Sequence, residues 1–221
     1  MTDFLNSFSS SDPANVSTSI KMLLLLTVLS LAPAILILMT SFARIIIVLS
    51  FVRTALATQQ MPPNQVLVGL ALFLTFFIMA PVLSQVNEEA LTPLFDEEIS
   101  LDEAYERASG PFKEFMSQHT RQKDLELFMS YNQMERPETI EEIPLTMMVP
   151  AFALSEIKTA FQMGFMIFIP FLVIDMIVAS VLMSMGMMML PPVMISLPFK
   201  ILLFVLVDGW YLIIQSLLQS F

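Results

Sequence analysis

The chain has 221 residues, a net charge of −10, 56% hydrophobic residues and no cysteine. The lack of cysteine excludes disulfides, thiolate metal sites and a cysteine nucleophile. Sixteen acidic and six basic residues lie within 87–158, whereas the rest of the chain has four of each. An ordinary soluble domain does not segregate charge in this way, because hydrocarbon excludes charge and water does not. The pattern predicts two membrane-embedded blocks around one acidic aqueous domain.

Four segments are long and apolar enough to cross a bilayer. Residues 22–43 are uncharged over twenty-two positions, 66–86 over twenty-one, and 159–199 contain only Asp175 in forty-one. Since about 20 apolar residues span the hydrocarbon, the third stretch holds one segment and most of another, which ends near residue 217. We predict an all-α fold, in which two kinked hydrophobic helical hairpins flank a small acidic helical domain.

Each hydrophobic segment has an interior proline; these are Pro33, Pro81, Pro170 and Pro198. Proline frees a backbone carbonyl that lipid cannot satisfy, so four broken helices indicate a packed assembly in which protein or water surrounds them. Proline is also common in ordinary transmembrane helices, and this alternative stays open for any single position.

The orientation follows from the short connection near 44–65, which contains Arg44 and Arg53 and no acid. The positive-inside rule places this turn in the cytoplasm, and the acidic domain and both termini outside. The predicted domains are an extracytoplasmic segment at 1–21, a first hairpin at 22–86, the acidic extracytoplasmic domain at 87–158, and a second hairpin at 159–221 with a methionine-rich turn near 184–192. A signal peptide cleaved near Ala32-Pro33-Ala34 is an alternative, although Asp3 and Asp12 do not suit its basic start.

The acidic domain has a helical pattern. Ser100 and Glu103 form a capping box, and Gly110-Pro111 is a typical stop signal, so we expect one helix to end there and a second to begin at Phe112. With about seventy residues the domain is small for a core of its own, so it should pack on its neighbours. The aromatic residues expected to dock against other copies are Tyr105, Phe112, Phe115 and Phe128.

A methionine-rich turn separates the last two segments. Gly186 on one side and Pro191-Pro192 on the other predict a break in the helix and shape the turn. Three consecutive methionines, Met187, Met188 and Met189, lie in this break. Methionine often only fills gaps in a core, but its flexible side chains can also close a pore and yield around a polypeptide. We expect these three residues to form a pore gate.

Asp175 and Lys200 are the embedded charges nearest this turn. They lie thirteen residues before and twelve residues after Met188, so both have the same depth, and we predict a buried charge pair. The pair forms either within one hairpin or between adjacent copies. A proton relay is the alternative role, but the only histidine, His119, lies outside the membrane segments.

Several stretches together resemble the FliP family of flagellar type III export gate proteins. Residues 150–165 read PAFALSEIKTAFQMGF, similar to one family signature, and Pro198-Phe199-Lys200 with the later Asp208-Gly209-Trp210 resembles the second. The turn sequences RTALATQ and MPPNQ, at 53–59 and 61–65, also match, although many members have glycine where Ala57 stands.

The resemblance implies a core subunit of the export apparatus in the bacterial inner membrane and the flagellar basal body. It implies a pentameric homo-oligomer with FliQ-like and FliR-like partners, which passes unfolded flagellar subunits outward. With such an oligomer in mind, we favour adjacent copies for the Asp175–Lys200 pair. We expect no cofactor and no nucleic acid. Virulence-type secretion subunits share these signatures, and the stretch HTRQKDL at 119–125 favours the flagellar branch. A solute transporter is a further alternative. The sequence has no phosphate loop, serine elbow or metalloprotease motif, so we expect no enzyme.

Overall fold

The computed structural model describes residues 22–23, 26–27, 30–31, 33–35, 37–58, 60–133, 137, 139–187 and 189–221. Contacts divide the chain into two compact units, Met1–Ile37 and Leu38–Phe221. The described residues of the first unit are helical. The predicted segment at 1–21, the signal-peptide position Ala32, and Met188 lie outside the described residues.

The second unit is built from α-helices, and no strand occurs among its described residues. This confirms the all-α prediction. The helices are α1 Phe42–Ala55, α2 Asn64–Val86, α3 Thr92–Phe95, α4 Leu101–His119, α5 Gln122–Tyr131, α6 Leu145–Ser184, α7 Pro192–Leu206 and α8 Gly209–Leu218, with a π-helical segment Asn87–Leu91 between α2 and α3.

Among the described residues, two helices are long and apolar enough to cross a membrane. One runs through α2 to the end of α3 as Asn64–Phe95, with 32 residues, and the other is α6, with 40 residues. The pair α7 and α8, bent by 62° at their junction, also meets the length and composition criteria when taken as one span. At about 1.5 Å per residue α6 is about 60 Å long, twice the hydrocarbon thickness of about 30 Å. The domain boundary predicted at 158/159 lies inside this continuous helix.

Helix α1 lies at the centre of the main core. Its apolar residues Ile45, Val48, Leu49 and Val52 recur at helical spacing and are fully buried. They pack with residues of α2, α6, α7 and α8 in one cluster. The sequence predicts a cytoplasmic turn near 44–65, but the helix continues to Ala55 and only 56–63 connect α1 to α2. Arg44 and Arg53 suggest an exposed connection. The free energy gained by burying the apolar stripe of α1 is larger than the cost of ordering these two residues in the helix, so the helix extends past both of them.

The acidic stretch packs on the N-terminal part of α6. Met116 on α4, Met148 and Phe152 on α6, and Met79 on α2 form a second cluster. The Ser100 side chain accepts a hydrogen bond from the Glu103 N–H at 3.3 Å, the contact expected of an N-cap. The predicted helix end at Gly110-Pro111 is wrong, because α4 continues through both residues to His119. Pro111 is buried, and its packing offsets the backbone hydrogen bond that proline removes.

Candidate functional site

The charge pair predicted from depth is joined inside one chain. Lys200 Nζ lies 2.6 Å from Asp175 Oδ2, and Ser196 Oγ donates to Asp175 Oδ1 at 2.5 Å. The Lys200 side chain is 3% exposed and that of Asp175 27%. The resemblance favours a pair between adjacent copies, whereas α7 folds back along α6 and places Asp175 and Lys200 side by side within one chain.

Lys200 also contacts the first hydrophobic block, which the sequence does not indicate. Its Nζ donates to the Ala55 carbonyl at 3.3 Å. Ala55 is the last residue of α1, where backbone carbonyls have no helical partner and attract a cation. One ammonium group therefore links the end of α1 with α6 and α7.

A second buried ion pair joins Arg44 on α1 to Glu156 on α6. Arg44 Nε donates to Glu156 Oε2 at 2.9 Å, and Arg44 Nη2 contacts the other carboxylate oxygen. The two side chains are 4% and 0% exposed. Arg44 Nη1 also donates to the Ser220 carbonyl at 2.7 Å, and its guanidinium lies 3.9 Å above the Phe221 ring. The fork of the guanidinium suits this two-point contact with a carboxylate.

The Arg44–Glu156 contact contradicts the sequence-based placement of these two residues. The sequence places Arg44 in a cytoplasmic turn and Glu156 in the extracytoplasmic domain, and so predicts that a bilayer separates them. The sequence carries a weak signal for the contact, because Arg44 adjoins the buried positions of α1, and Glu156 lies four residues from the buried Phe152 and from the buried Ala160.

A further polar contact joins α5 to α6 close to this pair. Ser155 Oγ donates to Asp124 Oδ2 at 2.6 Å and accepts the Arg121 N–H at 3.0 Å. Arg121 and Asp124 form an ion pair at 2.5 Å. The two adjacent residues Ser155 and Glu156 therefore bind different parts of the chain, α5 and α1.

His119, at the end of α4, lies beside the same centre. Its ring is 4.8 Å from that of Phe115 and 5.2 Å from that of Phe221, in edge-to-face arrangements. Burial first, and then the positive charge of Arg44, lowers the pKa of His119 below its ordinary value of 6.5.

The methionine-rich turn begins at the end of α6. Gly186 has φ +72°, its N–H donates to the Met183 carbonyl at 3.1 Å, and the Met187 N–H donates to the Leu182 carbonyl at 3.0 Å. This is a Schellman ending, which suits glycine because the left-handed conformation costs it nothing. Pro191 is the N-cap of α7, and Pro192 is its first residue. Met187 is 41% and Met189 98% exposed.

The two stretches that resemble family signatures contain these contacts. Residues 150–165 include Ser155 and Glu156, and they also include Gly164, where an added Cβ would overlap the Phe51 ring. The second stretch includes Lys200 and ends at the bend between α7 and α8. There Asp208 has φ +51°, and a Cβ at Gly209 would overlap the Phe204 ring.

Comparison with known proteins assigns the chain to a family. The FliP family profile matches residues 25–217. This chain belongs to the FliP family. It is 77% identical over 221 residues to the flagellar biosynthetic protein FliP of Bacillus subtilis (strain 168), with 100% of each chain covered. It is 56% identical over 203 residues to the protein of that name from Pectobacterium carotovorum subsp. carotovorum, which covers 92% of this chain and 79% of the relative.

A more distant member gives the same result. The flagellar biosynthetic protein FliP of Aquifex aeolicus (strain VF5) is 51% identical over 209 residues, which cover 94% of this chain and 87% of the relative. The resemblance inferred from the signature stretches is therefore confirmed at the level of the family.

Proposed function

We propose that this chain is a core channel and gate subunit of the flagellar type III export apparatus. It passes unfolded flagellar subunits across the bacterial inner membrane, within the flagellar basal body. The observation that carries this proposal is the 77% identity, over the full chain, to a protein named flagellar biosynthetic protein FliP. The long apolar helices suit a membrane location. A catalytic role is not part of the proposal.

The proposed assembly is a homo-oligomeric ring, a pentamer, with FliQ-like and FliR-like subunits and other export proteins. Its support is the many large apolar side chains that a single chain leaves exposed, since large exposed apolar patches mark protein–protein or membrane interaction surfaces. The exposed side chains on α2 and α6 include Phe73, Phe76, Phe77, Phe161, Phe165 and Met166. Neighbouring subunits or lipid would cover these faces.

The proposed topology keeps two hydrophobic hairpins around an extracytoplasmic acidic domain, with one revision. The cytoplasmic turn is narrowed to 56–63, because α1 is buried up to Ala55. Arg53 lies in the last turn of α1, beside this connection, and its Nη1 donates to Asn64 Oδ1 at 2.5 Å. Arg44 moves into the core with Glu156.

The proposed gate is a ring of Met187, Met188 and Met189 contributed by several copies. Two features support it: the turn is irregular backbone, and the side chains of Met187 and Met189 are exposed in one chain and free to line a lumen. Irregular backbone at membrane level is tolerated where it borders a lumen or lies inside protein. An apolar ring excludes water and ions when the pore is empty, and its flexible side chains part for a polypeptide.

Alanine at Met187, Met188 and Met189 together tests the gate. The shorter side chains should widen the constriction, so ions should leak through an assembled but idle channel. The measurement is membrane conductance, or growth inhibition, in cells that express the triple variant beside the parent. Met61→Ala is the matched control, because Met61 is 65% exposed on the other connection. Unchanged conductance with a correctly assembled complex would contradict the gate.

Electron microscopy of the purified complex tests the wider proposal. A ring with a central lumen would support an export channel, and a single chain around a closed solute pocket would instead support a transporter. The two tests are independent, since a ring can form whether or not the methionines line its narrowest point.

A further inference from the structure

The side chains around His119 form a small centre at which distant parts of the chain meet. We call this group the His119 centre and define it by Arg44, Phe115, His119, Glu156 and Phe221. Phe115 and His119 belong to α4, Arg44 to α1 and Glu156 to α6, while Phe221 follows α8. Each of the other aromatic rings in the group contacts the Phe221 ring, at 6.2 Å for Phe115 and 5.2 Å for His119.

Phe221 is held in this centre by aromatic and cationic contacts together. Its ring is stacked on Phe115, has the His119 ring at its edge, and has the Arg44 guanidinium 3.9 Å from its centroid. Arg44 also binds the preceding residue through the Ser220 carbonyl and hydroxyl, at 2.7 and 3.0 Å. The segment that follows α8 is therefore anchored by Arg44, Phe115 and His119. When His119 is neutral, Arg44 is the charged member of these three.

The charged groups around His119 come from several elements. Arg44 of α1 is the nearby cation, and its carboxylate partner Glu156 of α6 is already bound to it. On α4 itself, Glu114 lines the same cavity as His119. The residues of α2 that line this cavity are uncharged, and they are Phe77, Ile78, Pro81, Val82 and Gln85. Beyond α4, Arg121 and Asp124 are paired with each other.

We propose that His119 is a pH-sensitive latch for the end of α8: neutral His119 holds Phe221 in the centre, and protonated His119 releases it. Protonation places a second positive charge close to Arg44, in a site where the buried carboxylate of Glu156 is already paired with Arg44. A half-buried imidazolium in such a site also seeks water, and it reaches water most directly by separating from the Phe221 ring.

The direction of the pH dependence follows from linkage. Because the pKa of His119 in the closed centre lies below its ordinary value of 6.5, the closed centre binds the proton less well than the open one. The closed form is therefore fully favoured above the ordinary pKa, and this preference is lost as the pH falls through the lowered value. Each unit by which the pKa is lowered changes the closing equilibrium by up to about tenfold.

The latch has a consequence that rests on the proposed function. In the proposed topology His119 lies in the extracytoplasmic domain, where acidity follows the medium and the ion gradient. Release of Phe221 would free the end of α8, which continues from α7 and its Lys200. The latch would thus make the packing of the last helices sensitive to acidity outside the cell.

Site-specific labelling tests the latch in the purified full chain in detergent. The chain has no cysteine, so Leu218→Cys introduces a single thiol next to Phe221, in the cavity that His119 also lines. Ser216→Cys, on an exposed position of the same helix, is the matched control for the pH dependence of the thiol chemistry itself. The measurement is the ratio of the two maleimide labelling rates between pH 8 and pH 5.5.

The expected ratio rises several-fold towards pH 5.5 in the His119 background, because Leu218 becomes accessible when Phe221 leaves. In a His119→Phe background, which keeps a neutral ring, the ratio should stay low at every pH. His119→Gln is the second variant if the phenylalanine form does not fold, and its ratio should be independent of pH. An equal rise in parent and variant would overturn the latch, and so would a pH-independent ratio in the parent. Since the assay needs no export, its failure leaves the proposed channel function untouched.

Discussion

At the scale of single residues, burial determines how strongly the stability of the chain depends on an ion pair. Arg44 and Glu156 are almost completely buried, whereas Glu103 and Arg107 form a pair whose side chains are 48% and 45% exposed. Removing one partner of a buried pair leaves an uncompensated charge in an apolar site, while an exposed charge simply returns to water. The two pairs have the same chemistry and should respond differently to the same change.

We expect Arg44→Leu to destabilise the chain by about 3 to 5 kcal/mol, because Glu156 would be left buried without its partner. Arg107→Leu, the matched control, should cost less than about 1 kcal/mol. The measurement is the thermal unfolding midpoint in detergent, together with the amount of protein that accumulates in membranes. The double variant Arg44→Leu with Glu156→Leu should regain part of the loss. Equal midpoints for the two single variants would show that the buried pair has no special role.

At the scale of helices, the close approach of α1 and α6 determines the core. Phe51 of α1 lies over Gly164 of α6, and its ring is 5.2 Å from that of Phe161 in an edge-to-face contact. A side chain at 164 would occupy the space of the Phe51 ring. Small residues at such crossings allow helices in membrane proteins to pack tightly.

Gly164→Ala should therefore destabilise the chain by about 1 to 3 kcal/mol through overpacking. Gly69→Ala in α2 is the control, since nothing lies within 4 Å of a Cβ added there. That change should be neutral or stabilise by up to about 1 kcal/mol, because alanine is the better helix former. Unfolding midpoints of both variants in detergent provide the comparison. A stabilised Gly164→Ala protein would mean that the Phe51 ring moves aside without cost.

At the scale of the whole molecule, Lys200 links both hydrophobic blocks. It contacts Asp175 of α6 and the end of α1, so the first hairpin and the second hairpin meet at one buried ammonium group. The Asp175–Lys200 contact also joins α6 to α7, the two helices that the methionine-rich turn connects. Loss of the Asp175–Lys200 contact should change the surface that each chain presents to its partners in the proposed ring.

We expect Asp175→Ala to leave Lys200 buried without its carboxylate, at a cost of about 3 kcal/mol, and so to impair assembly. Glu98→Ala, an exposed acid in the acidic stretch, should have little effect. The readouts are complex formation on a native gel and motility of cells that depend on the variant. A variant that assembles and supports motility like the parent would contradict a structural role for the pair.

Much of this organisation follows from local patterns in the sequence. The segregated charge and the apolar runs predict helices of membrane length, and depth counting pairs Asp175 with Lys200. The prediction at Gly110-Pro111 failed because tertiary packing of Pro111 overrides a local stop signal. Ala57 has φ +55°, in the left-handed region that glycine adopts without strain. The structure therefore gives the physical reason why glycine suits this position, whereas the sequence alone shows only that this chain differs there from many members of the family.

The sequence by itself determined the class of fold, the apolar segments, the methionine-rich turn and the family, because hydropathy, helical period and signature residues are all properties of short stretches. The tertiary structure alone decided that Arg44 meets Glu156 and that Lys200 also contacts the Ala55 carbonyl. Arg44 and Glu156 are separated by 112 residues, and Lys200 and the Ala55 carbonyl by 145, so no local pattern specifies either contact. These contacts result from the packing of α1 against α6 and α7. Burial of the apolar stripe takes Arg44 and Lys200 out of water, and a buried charge is stable only when a carboxylate or a carbonyl binds it.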